Sequence, residues 1–178
     1  MRKILFAAIT GFALVLFSCN SETETSTTAT ASSSDSTVNY AYKADYSSSF
    51  EMGNPKHSET ILKLWKDWDN GDLGPSKANF ADSVTMNLRD GSMMSGPRDS
   101  ILAGAQAFRN GFSSVTSRVD AFFPVKSTDK NENWVCIWGT EISTDKSGKV
   151  DSVRLQETWR LNKEGKVDFM LQYGAVAK

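Results

Sequence analysis

At Ser113 the hydrophobic period of this chain changes from helical to strand-like, and that change constrains its architecture most. Upstream, Ile61, Leu64, Trp65 and Trp68 recur at i, i+3, i+4 and i+7, which lines one face of a helix. Downstream, Val115, Val119, Ala121 and Phe123 alternate with polar residues as far as Pro124, which marks a bulge or a sheet edge. Three further strands follow over 133–144, 149–161 and 166–176, separated by turns at Asn131-Glu132, Ser147-Gly148 and Glu164-Gly165. Connections this short join antiparallel neighbours only. Helices first and a meander second make an α+β pattern, without internal repeats.

The helical half has its own punctuation. Asn54-Pro55 is a cap followed by a first-turn proline, and Gly71 ends the helix that they open. A short second helix is predicted over 75–81. Val84, Met86 and Leu88 then alternate as a half-buried strand, and Asp90-Gly91 turns it back through Met93 and Met94. Pro97 opens a third helix, with Ile101, Ala105, Phe108 and Phe112 assigned to one side.

Ahead of the domain stands a segment of another kind. Arg2 and Lys3 precede an apolar run from Ile4 to Phe17, then Ser18-Cys19. The run is too short for a membrane span, which takes roughly 18–20 apolar residues, and its build is that of a secretory signal. With cysteine directly after Ser18 it resembles a bacterial lipoprotein signal, which implies that Cys19 becomes the lipidated N-terminus. Residues 20–49 are dense in Ser, Thr and Ala and hold too little apolar surface to offset ordering entropy, so a flexible tether is expected. About thirty such residues reach on the order of 30 Å. The organisation expected is a signal peptide over 1–18, a lipidated cysteine and tether over 19–54, and one domain over 55–178. Asn20-Ser-Glu-Thr-Glu24 is similar to acidic stretches that send some Gram-negative lipoproteins to the cell surface. The expected location is therefore the cell envelope, lipid-anchored, at the outer membrane of a Gram-negative bacterium.

The folded part resembles the nuclear transport factor 2-like superfamily, and its SnoaL-like branch in particular. Four segments carry the resemblance in order: Asn70-Gly71-Asp72-Leu73 closing the first helix, Phe80-Ala81-Asp82-Ser83-Val84 entering the first strand, Gly96-Pro97-Arg98-Asp99-Ser100-Ile101 opening the third helix, and Arg160 to Val167 turning into the last strand. The resemblance implies a cone, a curved antiparallel sheet wrapped around three N-terminal helices. It also implies an apolar pocket and a homodimer formed through the sheet.

Function must still be argued from residues, since this fold hosts isomerases, dehydratases, cyclases and binding proteins. Along 153–161, Val153, Leu155, Trp159 and Leu161 share a face with Glu157. A carboxylate among apolar neighbours is desolvated, which raises its pKa and makes it a candidate acid or base. The competing reading pairs Glu157 with an arginine or leaves it at an open edge. The catalytic set of the ketosteroid isomerase branch would fall on Leu64, Leu88 and Glu157, and two leucines do not support that chemistry. Gln172 stands where several SnoaL-like enzymes carry an aspartate. The expected ligand-binding residues are Trp65, Trp68, Phe108, Leu155, Trp159 and Tyr173.

Other chemistries are poorly supplied. The single histidine, His57, excludes a multi-histidine zinc site, and with Cys19 assigned to lipid Cys136 has no disulfide partner. Asp67 to Asp72 is similar to a calcium loop, but the glycine sits one place early and the closing glutamate is missing. No metal and no cofactor are expected. A net charge of −1 with scattered lysines and arginines gives no footprint for nucleic acid. The expected function is binding of a small apolar ligand or a protein partner, the alternative being proton-transfer catalysis through Glu157.

Overall fold

The computed structural model describes residues 38–177. The signal peptide, Cys19 and the first part of the tether lie outside the described residues. The unit that begins at Ala41 contains all the regular structure considered below. Its elements run β1 (Phe50–Met52), α1 (Pro55–Asn70), a 3-10 helix (Gly74–Asn79), β2 (Phe80–Asn87), β3 (Met93–Pro97), α2 (Arg98–Arg109), β4 (Phe112–Ser127), β5 (Glu132–Asp145), β6 (Val150–Leu161) and β7 (Val167–Val176).

Among the described residues the strands form one curved, unclosed sheet in the order β1-β4-β5-β6-β7-β2-β3. The meander β4-β5-β6-β7 is antiparallel throughout, as the short turns require. The sheet is not wholly antiparallel, however, because β2 pairs with β7 in parallel. β7 ends the meander with a free edge, and the early β2–β3 hairpin docks there. No short turn joins β2 to β7, so nothing imposes the antiparallel direction. The three expected helices are present, the short second one as a 3-10 helix that ends at Asn79, because Phe80 already belongs to β2.

α1 lies along β4. Gly53 N–H donates to the Pro124 carbonyl at 3.0 Å just ahead of the helix, and Asp69 near its far end accepts from Ser117 N–H and Oγ. Asn54 caps it, accepting from Lys56 N–H at 3.0 Å. Gly71 ends it at a φ of +81°, a conformation that an L side chain resists. Arg109 of α2, nearly fully buried, donates to the Asp69 carbonyl and is a second donor to the Trp68 carbonyl, which also accepts from Gly71 N–H at 3.1 Å. The apolar face of α1, Ile61, Leu64 and Trp65, packs with Val135, Ile137, Leu155, Trp159 and Met170 in one continuous core. Phe108 departs from its expected face: it is 63% exposed, while Leu102 is buried in its stead.

The domain also begins earlier than Pro55. β1 pairs with β4, placing Phe50 opposite Ser127 and Met52 opposite Val125. Ser47 Oγ bonds Asp129, Thr128 N–H donates to the Ser49 carbonyl, and the Tyr46 ring meets Trp134 edge-on at 5.9 Å. A backbone ladder needs no apolar side chains, so a serine-rich stretch that reads as tether can still add a strand to an open edge.

Two irregularities set side-chain directions. Val119 pairs with Gly139 and Ala121 with Trp138, which leaves Asp120 as an extra residue in β4. Pro124 itself pairs with Val135, on the open flank of β4 where β1 ends, so proline marks an edge and the bulge sits at Asp120. On β7, Leu161 pairs with Val167 and Arg160 with Phe169, so Asp168 is extra and the alternation of that strand changes phase.

Candidate functional site

Glu157 faces the helices. Alternation along β6 carries Val153, Leu155, Glu157, Trp159 and Leu161 to the inner side, each at most 8% exposed. The Glu157 carboxylate is held by three donors. Trp65 Nε1 on α1 and Trp159 Nε1 on β6 both donate to Oε2, at 2.7 and 2.8 Å, and Gln172 Nε2 on β7 donates to Oε1 at 2.8 Å. Gln172 reaches it because Gln172 is the direct cross-strand neighbour of Glu157.

Burial pushes the Glu157 carboxyl above the ordinary carboxylate range; the three donors oppose this and the nearby Glu141 charge adds to it. An indole can only donate, so Oε2 must remain an acceptor in either protonation state. Turning over the Gln172 amide would present its oxygen to a protonated Oε1. Both states of Glu157 would then retain three hydrogen bonds.

The remaining predicted residues separate into three groups. Trp65, Leu155 and Trp159 pack with Glu157 as core. Trp68 is half-buried beside them, and Phe108 stacks on it from outside with ring centroids 6.3 Å apart. Tyr173 does not join them: it is 60% exposed on the outer face, opposite Gln156. Strict alternation from the buried Val167 would have sent it inward, and the extra residue at Asp168 reverses that.

Sequence reasoning missed a second carboxylate. Glu141 on β5 lies opposite Val153 on the inner face, and its Oε2 accepts from Trp68 Nε1 at 2.7 Å. Burial raises its pKa, against the Trp68 hydrogen bond and the charges of Arg89 and Arg109 and together with that of Asp69. The series Val135, Ile137, Gly139, Glu141 was visible in the sequence at period two. Asp67 and Asp69 do not converge as a calcium loop would: Asp67 pairs with Lys63 and Ser76, and Asp69 with Ser117. Among the described residues no acidic, histidine or cysteine cluster could hold a metal ion. Cys136 faces outward, and burial raises its thiol pKa.

Two shallow surface grooves lie on the domain, and neither is lined by Glu157, Trp65 or Trp159. One runs between the end of α1 and α2, past Asp72, Lys77, Gln106 and Asn110. The other, of about 480 Å³, lies on the outer sheet face beside Trp138, Arg154, Gln156 and Tyr173.

No protein-family profile and no curated protein matches the chain. Solved structures do match. The putative SnoaL-like polyketide cyclase from Shewanella denitrificans OS-217 superposes with a TM-score of 0.57 at 11% identity, covering 68% of this chain and 92% of that one. AusH from Aspergillus nidulans gives 0.56 at 16% identity, covering 72% and 89%. An NTF2-like protein of unknown function from Exiguobacterium sp. 255-15 gives 0.55 at 13% identity, covering 65% and 98%. The described residues therefore have the α+β fold of nuclear transport factor 2-like and SnoaL-like proteins. Within it, two inner-face glutamates are each held by tryptophan N–H groups.

Proposed function

We propose that this is a lipid-anchored cell-envelope protein whose domain binds a small molecule or a protein partner without catalysing a reaction. The observation that carries the reading is the state of Glu157. Its carboxylate is enclosed and engaged at both oxygens by Trp65, Trp159 and Gln172. A general base must reach the proton it takes, and this one is turned to fastening α1 onto β6 and β7. The anchor rests on the resemblance of residues 1–19 to a lipoprotein signal, and the outer membrane of a Gram-negative bacterium remains the proposed site. A homodimer through the sheet is the corresponding proposal for the oligomer.

A second reading has its own observation. Glu141 spends only Oε2 on Trp68, and burial raises its pKa, so it is the better-placed carboxylate for proton transfer. Untargeted mass spectrometry of a cell-envelope extract incubated with the full-length protein separates the two. Binding predicts compounds that co-elute with the protein unchanged. A compound consumed by the wild type and spared by Glu141→Gln would overturn the non-catalytic reading.

A further inference from the structure

Two rows of the inner sheet face adjoin near the end of α1. Val153 and Leu155 of β6 both point inward, and register sets Glu141 opposite Val153 and Gly174 opposite Leu155. Gly174 therefore belongs to the inner row next to that of Glu141. It leaves a bare stretch of β7 backbone, and the side chain of Arg89 lies across it. A Cβ built on Gly174 would stand 2.8 Å from Arg89 Cδ and 3.3 Å from Arg89 Cβ. The backbone at Gly174 is ordinary strand without a positive φ, so conformation does not call for glycine there. The room that Arg89 takes up does. The Arg89 backbone is fixed at the same place, its N–H donating to Gln172 Oε1 at 3.4 Å. Its neighbour Asp90 is engaged by Ser92 N–H and Oγ.

This seat matters for the carboxylate in the adjoining row. Burial raises the pKa of Glu141, and among the charges acting on it the cation of Arg89 contributes most, favouring the ionised form. Asp69 opposes it, Arg109 adds to it more weakly, and Glu157 shares the same interior as a like charge. Arg109 is already committed to the Trp68 and Asp69 carbonyls at the end of α1. Trp68 Nε1 holds Oε2 of Glu141 and leaves Oε1 open. We propose that Arg89, seated on Gly174, is a positioning residue that keeps Glu141 an ionised acceptor, so that Oε1 takes a hydrogen bond or a proton from what reaches it and gives none. A ligand meeting Glu141 must then present a donor: a hydroxyl, an amide N–H or an ammonium group. Taking a proton rests on the second reading above; accepting a hydrogen bond holds equally for a binder that catalyses nothing.

The test is a titration of Glu141 by nuclear magnetic resonance in the full-length protein, solubilised in detergent and isotope-labelled at the glutamate carboxyls and tryptophan indoles. Glu141→Gln assigns the carboxyl signal, and the Trp68 indole follows the same titration through its hydrogen bond. Arg89→Met removes the charge and keeps a long side chain, and should raise the Glu141 midpoint by about 0.5 pH or more. Arg89→Lys should keep the midpoint near that of the wild type. Gly174→Ala retains the charge but fills the seat, and should also raise the midpoint; added to Arg89→Met it should raise it no further. Melting temperatures should stay level, since Arg89 and Gly174 are exposed. If Gly174→Ala does not fold, the pair Arg89→Met and Arg89→Lys decides. A midpoint unmoved by Arg89→Met overturns the proposal, and so does one that Arg89→Lys moves as far as Arg89→Met, because packing and not charge is then at work. A folded Gly174→Ala with the wild-type midpoint overturns it too, since the glycine is then no seat. No ligand enters the titration, so failure to find any consumed compound removes the second reading and leaves the role of Arg89 standing.

Discussion

Replacing Glu157 by leucine removes the acceptor shared by two buried indoles. Trp65 Nε1 and Trp159 Nε1 then have no partner, since both donate to Glu157 Oε2. An unsatisfied buried donor costs about 1–3 kcal/mol, so the pair costs about 2–6 kcal/mol. Glu157→Gln should behave differently: the amide oxygen still accepts from both indoles, and its NH₂ can donate to a turned-over Gln172. The pH dependence gives a further check. The folded-state pKa of Glu157 is raised above its usual 4.5, so between 4.5 and the raised value the native state binds more protons than the unfolded one. Stability from this group is therefore fully present below pH 4.5 and is lost as pH rises through the folded pKa. Urea unfolding followed by tryptophan fluorescence at pH 4, 6 and 8 measures both effects. Glu157→Leu should be least stable relative to wild type at pH 4, and Glu157→Gln should flatten the decline toward pH 8. The reasoning fails if Glu157→Leu lies within about 0.5 kcal/mol of wild type, the range of an inert surface change. It fails equally if Glu157→Gln leaves the pH slope unaltered.

Three further outcomes are expected. Gly139→Ala drives a methyl group into the Arg118 carbonyl oxygen at the β4 bulge and should cost about 1–3 kcal/mol by overpacking, read as a lower urea midpoint. Cleavage of the chain within residues 20–40 should leave the melting temperature unchanged. Removing residues up to Gly53 should lower stability by about 1–3 kcal/mol, because the bonds Gly53 to Pro124 and Thr128 to Ser49 are lost. Cys19→Ala should move the protein from the detergent-soluble membrane fraction to the aqueous one or leave its precursor unprocessed; equal partitioning of both forms would refute the anchor.

Local rules carried a good part of the fold. The period-3.6 face of α1, its Asn54 cap, the Gly71 stop and the four meander strands all appear where spacing and turn residues put them. Expectations failed where a partner distant in sequence decides. β1 forms because β4 offers it an edge, and β2 runs parallel to β7 because those strands meet without a connecting turn. Tyr173 faces outward because one extra residue at Asp168 shifts the phase of β7. Bulges are invisible to a period count, since they are set by the pairing partner.

The site divides in the same way. Alternation alone sent Glu157 inward with Leu155 and Trp159, because successive side chains of a strand must take opposite faces. What surrounds the carboxylate is a tertiary matter. Trp65 comes from a helix 92 positions away and Gln172 from the next strand, and only packing brings their N–H groups to it. The sequence by itself determined that a carboxylate enters the core. The tertiary structure decided that it meets three donors there and acts as a clasp, because hydrogen-bond partners are chosen by position in space.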